Sequence, residues 1–275
     1  MGLQFHEFSE VTEDGDLARL LLLEHAHAQF TGLPHLEIAE KALECARKSG
    51  DEELLADAYC MKAFGVTQDL DEASARDLGA KALPLLRKHG NTTMEAFLHM
   101  NLGNLAFVGG RWEEARSEFL AALQVRKRQQ DMRGLGASIG GLAEVAEALG
   151  EFELSTKLWR YSIASFNAVE SRWDIAGCLP GLCMQLRKAG DIYKAVQVLG
   201  CADALQEQMG SGRDIADSAV YARHRSALEK HLPPEEFERA YAEGRRISWQ
   251  RMIQMIFPEG LPVPTTAELE RVAEP

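Results

Sequence analysis

The apolar positions of this chain follow a helical period almost throughout. Leu17, Leu20, Leu21 and Ala28 fall at spacings of three, four and seven, one stripe on a helix beginning near Asp16. Gly32-Leu33-Pro34 breaks that run, and a second helix follows from Leu36 to Arg47, ended by Ser49-Gly50-Asp51. The same reading predicts paired helices at Glu52–Gly65 and Asp71–Lys88, Thr92–Val108 and Trp112–Gln129, Met132–Leu149 and Phe152–Val169, and Trp173–Ala189 and Ile192–Met209. No run alternates at period two over the length of a strand, so the expected class is all-α.

The breaks between these helices repeat. Gly110-Arg111-Trp112-Glu113-Glu114-Ala115, Gly150-Glu151-Phe152-Glu153-Leu154-Ser155 and Gly190-Asp191-Ile192-Tyr193-Lys194-Ala195 stand 40 residues apart. Self-similarity at that period predicts a solenoid of helix pairs, each repeat burying its apolar face against its neighbours. Aligning the second helices of the pairs gives Ala39/Leu43/Ala46, Ala75/Gly79/Ala82, Ala115/Phe119/Ala122, Ser155/Trp159/Ser162 and Ala195/Leu199/Ala202. Small residues at the outer two sites allow close helix approach, and a large middle residue fills the groove, with Gly79 as the exception. Gly134, Gly136, Gly140 and Gly141 mark close packing in the fourth pair. Each interior Gly costs roughly 1 kcal/mol relative to Ala, so a frayed or kinked helix start is expected there.

The repeat stops after Gly210-Ser211-Gly212. Asp214 to His231 reads as a helix, Pro233-Pro234 opens another, and Ser248 is placed to cap a last short one beginning at Trp249. The domain plan is therefore a repeat array over 1–210, capping helices over 211–257 and a flexible tail over 258–275.

The formal net charge of −12 disfavours direct nucleic-acid binding. The acidity lies at the front, with thirteen Asp/Glu against four Lys/Arg from Met1 to Asp57. The stretch Arg223–Arg251 is mildly basic, seven against five, a pattern that solvated helix faces also produce. Cys45, Cys60, Cys178, Cys183 and Cys201 form no C-x-x-C pair and sit among Ala and Leu, as core thiols do, which favours a reducing, cytoplasmic setting. The first residues lack a signal-peptide pattern, and no apolar run is long enough to span a bilayer, so no membrane association is expected.

Leu102, Gly103, Ala106, Trp112, Ala115, Phe119 and Ala122 resemble the tetratricopeptide repeat, whose usual period is about 34 residues against 40 here. The resemblance covers about Asp16 to Met209. It implies a right-handed superhelical solenoid with a C-terminal helical cap, whose first helices line a concave groove. The groove positions it implies are Phe97, Met100, Asn101, Asn104 and Val108, then Ala137, Glu144 and Glu147, then Met184, Arg187 and Lys188. The family's clamp for acidic C-terminal peptides is matched only at Asn104; Met100, Gly141, Gly177 and Gly181 hold its other positions, so that mode of recognition is not expected.

The stretch Ala195–Leu205, with Phe237, Ala240, Tyr241, Gly244, Arg245 and Ser248, is similar to the C-terminal repeat region of ATP-dependent LuxR-type (MalT-like) bacterial regulators. In that family an ATPase module precedes the array, and a helix-turn-helix domain sometimes follows it. Here no G-x-x-x-x-G-K-[ST] loop occurs and the sequence closes at Pro275, which suggests a stand-alone or fragment-like relative. The resemblance implies a protein-interaction or scaffold module of signal transduction and transcription regulation, with a protein segment in the groove. The alternative it leaves open is a small-molecule inducer sensor.

No chemistry competes with that reading. Gly134-x-Gly136-x-x-x-Gly140 departs by one residue from a dinucleotide loop and follows no strand. His25 and His27 lie on different sides of a helix, and Glu144 with Glu147 reads as an ordinary exposed pair on a solvated face. Neither catalytic nor metal-ligating residues, nor a cofactor, are expected.

Overall fold

The computed structural model describes residues 14–31, 35–68, 71–209 and 215–261, and their side chains except at 24–31, 35, 68 and 215–220. The side chains of His25 and His27, and most of the tail expected over 258–275, lie outside the described residues. Every regular element among the described residues is a helix. These are α1 (Asp14–Thr31), α2 (His35–Ser49), α3 (Glu52–Gln68), α4 (Glu72–His89), α5 (Thr92–Val108), α6 (Trp112–Gln129), α7 (Met132–Ala148) and α8 (Phe152–Ala168). There follow α9 (Arg172–Cys178), α10 (Cys183–Lys188), α11 (Ile192–Met209), α12 (Ile215–Glu229), α13 (Pro234–Gly244) and α14 (Trp249–Ile256).

The helix ends explain the 40-residue period. Gly90, Gly110, Gln130, Gly150, Glu170 and Gly190 stand twenty residues apart, and all occupy the left-handed region, with φ of 71, 74, 55, 81, 54 and 81°. At each, two successive N–H groups turn back onto the last helical turn. Gly150 N–H donates to Glu147 O at 3.0 Å and Glu151 N–H to Ala146 O at 2.8 Å, satisfying carbonyls that the helix end leaves free. The next residue often starts the following helix by accepting from its first turn. Asn91 takes Met94 N–H, Asp131 takes Gly134 N–H and Asp191 takes Lys194 N–H, at 3.2, 2.9 and 3.1 Å. So short a connection sends each helix back along its predecessor.

The chain divides into two compact units, Met1–Leu105 and Ala106–Pro275. In the first, α1 packs on α2, α2 on α3 and α3 on α4. Its larger core joins Ala56, Cys60, Ala63, Leu78, Leu86, Leu98 and Leu105. In the second, α6 packs on α7, α7 on α8 and α8 on α9, while α11 meets α9, α10, α12, α13 and α14.

The aligned small–large–small positions are all buried, including Gly79. In the second unit their partners recur with the same period. A Cβ on Gly141 would lie 2.8 Å from the ring of Phe119, and one on Gly181 would lie 2.1 Å from that of Trp159. The aromatic knob of one pair thus enters a hole that only glycine leaves open in the next. Where the knob is flanked by serines, both hydroxyls are satisfied, Ser155 Oγ donating to Ala143 O and Ser162 Oγ to Gly136 O at 2.9 and 2.8 Å.

Two expectations need correction. α7 runs unbroken through its four glycines, because Phe119, Ser162 and Phe166 press on Gly141, Gly140 and Gly136 and offset the propensity cost. The helix expected over Trp173–Ala189 is instead interrupted by a tighter 3-10 turn at Leu179–Leu182. Pro180 supplies no N–H there, which removes a rung of the helical ladder.

The C-terminal helices begin close to where the prolines and Ser248 place them. Ser248 Oγ accepts from Arg251 N–H at 3.3 Å. α11 and α13 cross at Gly200 and Gly244, where a Cβ would lie 2.2 Å from Tyr241 O and 2.0 Å from Gln197 O respectively. Backbone contact this close requires both glycines.

Candidate functional site

The groove positions read from the sequence fall in both units, and each unit is described by itself. In the first, Phe97 is half-buried, packs on the core cluster, and has its ring centroid 5.3 Å from that of Phe64. Asn101 is buried and donates Nδ2–H to Phe97 O at 2.8 Å, so its amide serves its own helix. Met100 and Asn104 are half-buried.

In the second unit Glu144 and Glu147 are 8% and 7% exposed, where an ordinary solvated pair was expected. Around Glu147 stand residues of α10 and α12. Arg223 of α12 donates Nη2–H to Glu147 Oε1 at 3.1 Å. On α10, Arg187 places Nη2 3.0 Å from Met184 Sδ, with both side chains half-buried, and its charge also acts on Glu147. The Arg223 guanidinium stands 5.8 Å from the ring centroid of Phe107, a cation–π contact.

The electrostatics of this cluster are unbalanced. Burial pushes the Glu147 carboxyl above its ordinary range, and Arg223 and Arg187 oppose that push. His224, 3% exposed, has Nε2 3.6 Å from Glu147 Oε1, too far for a hydrogen bond. Burial and the two arginines depress this imidazole to about 3, so it is neutral and forms no ion pair. Glu147 Oε2 and His224 Nε2 are both buried without a hydrogen-bond partner. Each such atom costs about 1–3 kcal/mol. The cluster therefore holds an acceptor and an imidazole nitrogen unsatisfied beside two guanidinium groups.

Sequence reasoning placed Glu147, Met184 and Arg187 together and missed Arg223 and His224. The one available signal was the basic composition beginning at Arg223, which carries no positional information. Gly140 and Gly181 face Ser162 and the ring of Trp159, and so serve close packing inside the unit.

A second polar node ties the C-terminal helices together. Asp203 Oδ2 of α11 accepts from Tyr221 of α12 and Tyr241 of α13, each at 2.5 Å. Arg225 lies 5.2 and 5.4 Å from the ring centroids of Phe237 and Tyr241.

Burial pushes up the thiols of Cys60, Cys183 and Cys201, the last to about 12, so these remain protonated and unreactive near neutral pH. Among the described residues no group of three His, Cys, Asp or Glu side chains is arranged to hold a metal ion, and no helix is long and apolar enough to cross a membrane. No protein-family model matches this chain, and neither does any curated protein.

Proposed function

We propose that this protein is a non-catalytic interaction module, a solenoid of tetratricopeptide-like helix pairs that holds a segment of another protein against its first helices. The observation that carries this reading is the unsatisfied acidic cluster. Glu147 Oε2 is buried without a partner beside half-buried Met184 and Arg187, so an acceptor, a cation and adaptable apolar surface lie together. In the first unit Met100 and Asn104 offer the same mixture of apolar and amide contact. The likeness to LuxR-type regulators supports a setting in bacterial signalling. The test is to capture a partner, identify it, and measure its affinity for the parent, Arg187→Glu and Asn104→Ala. A tenfold loss in either variant, with helix content retained, supports the reading. Parent-like binding by both moves the contact elsewhere, first to the surface around Tyr241 and Trp249.

A further inference from the structure

α12 packs on α10 and α11, as the next helix in the series would, yet its Arg223 also reaches beyond them. The guanidinium meets Glu147 on α7 and the ring of Phe107 at the end of α5. Those helices stand one and two pairs earlier in the chain than α10. The helix has two working faces. Tyr221, Arg225 and buried Leu228 fix it, the first two through Asp203, Phe237 and Tyr241. Arg223 and His224 are turned toward Glu147. Arg223 remains 42% exposed while the carboxylate it covers is 4% exposed, so its side chain can leave without the helix moving.

We propose that Arg223 is an internal stand-in for an arginine of a partner protein's helix, and that the site it covers, lined by buried Phe107 and Glu147 and half-buried Met184 and Arg187, is where that helix docks. This rests on the interaction reading above and names its partner chemistry. Charge complementarity selects the occupant. Glu147 is a buried acceptor whose Oε1 is already satisfied by a guanidinium and whose Oε2 is not. An incoming arginine takes both oxygens in the forked geometry that Arg223 achieves at only one. Phe107 gives the guanidinium a ring to lie against, and Met184 takes an apolar neighbour on the same helix. Because the chain's own arginine occupies the carboxylate, the apparent affinity for a partner is reduced by the fraction of time the site is closed.

The experiment needs no natural partner. The probe is a fluorescent peptide with the sequence of residues 215–229, which carries the arginine in its native helical context; a control peptide has glutamate in its place. Binding is measured to the full chain as parent, as Arg223→Ala, and as Arg223→Gln, which keeps length but not charge. Helix content is checked by circular dichroism. Both variants are expected to bind the probe at least tenfold more tightly than the parent, to ignore the control, and to lose that gain when Glu147→Gln is added. Equal affinity of parent and variants, no binding by either variant, equal binding of probe and control, or indifference to Glu147→Gln each overturns the proposal. A captured natural partner that depends on Arg187 but not on Glu147 sinks it too, and leaves the interaction reading standing.

Discussion

Arg223 donates to Glu147 across 76 positions of sequence, and through this pair α12 is joined to α7. The partners differ in exposure, 42% against 4%, so they respond differently to loss. Removing the arginine leaves a buried carboxylate short of a cation, and that penalty depends on whether the carboxylate is charged.

Arg223→Ala is therefore expected to destabilise the protein more at pH 8 than at pH 5. The folded pKa of Glu147 already lies above its unfolded value, and the variant raises it further by deleting a group that lowers it. The native state then holds its proton to higher pH than the unfolded state, so stability falls as pH rises between the two pKa values. A deficit of about 1–2 kcal/mol at pH 8, reduced for the exposure of Arg223, should shrink toward pH 5. Melting midpoints of parent and variant across that range measure it; a pH-independent difference rules the mechanism out.

Gln130 and Glu170 hold left-handed backbone at turns where the other repeats use glycine. A side chain there carries strain of about 1–2 kcal/mol, partly offset because it narrows the unfolded ensemble. Glu170→Gly and Gln130→Gly should each stabilise by about 0.5–1 kcal/mol. A lowered melting midpoint in both would mean that the side chains contribute contacts that outweigh the strain.

These two turns also show what could be read in advance. Gly110, Gly150 and Gly190 announce helix ends, and the repeat follows from them. Gln130 and Glu170 announce nothing, and only the 40-residue interval implies that a left-handed residue belongs there. The buried register of Ala115, Phe119 and Ala122 was readable because small and large side chains alternate at helical spacing. The 3-10 turn at Leu179–Leu182 was not, since Pro180 reads equally well as a tolerated kink. The contact of α12 with Glu147 was invisible for a different reason. It depends on where a helix beyond the repeat comes to rest, which no local pattern encodes, and Glu147 alone looks like any solvated carboxylate.

The aromatic knobs and glycine holes predict a coupled pair. Gly181→Ala places a methyl group against the ring of Trp159 and should cost roughly 1–3 kcal/mol by overpacking. Trp159→Leu alone should also destabilise, by leaving space. In the double variant the two defects compensate, and the combined loss should fall short of the sum by at least about 1 kcal/mol. Additive losses would show that the two side chains do not share one hole.

Asp203 receives two phenolic hydroxyls on one oxygen, and that arrangement decides how the C-terminal helices titrate. Burial raises both tyrosines above their ordinary range, and the hydrogen bond to Asp203 raises them further, because each hydroxyl must keep its proton to donate. Tyr221→Phe and Tyr241→Phe should each cost about 1.5–3 kcal/mol, as loss of a hydrogen bond to a charged group. Neither removes the node, since the remaining tyrosine still donates. Asp203→Leu should cost more than either, because two half-buried hydroxyls lose this acceptor at once. The raised folded pKa values also set a sign: as pH rises past the unfolded tyrosine value near 10, the unfolded state loses protons that the folded state retains, and stability declines. Asp203→Asn removes the negative charge while keeping an acceptor, so tyrosinate absorbance should appear at lower pH than in the parent. If the two titrations coincide while the variant stays folded, burial alone sets these tyrosines, and Asp203 ties α11 to α12 and α13 without governing their protons.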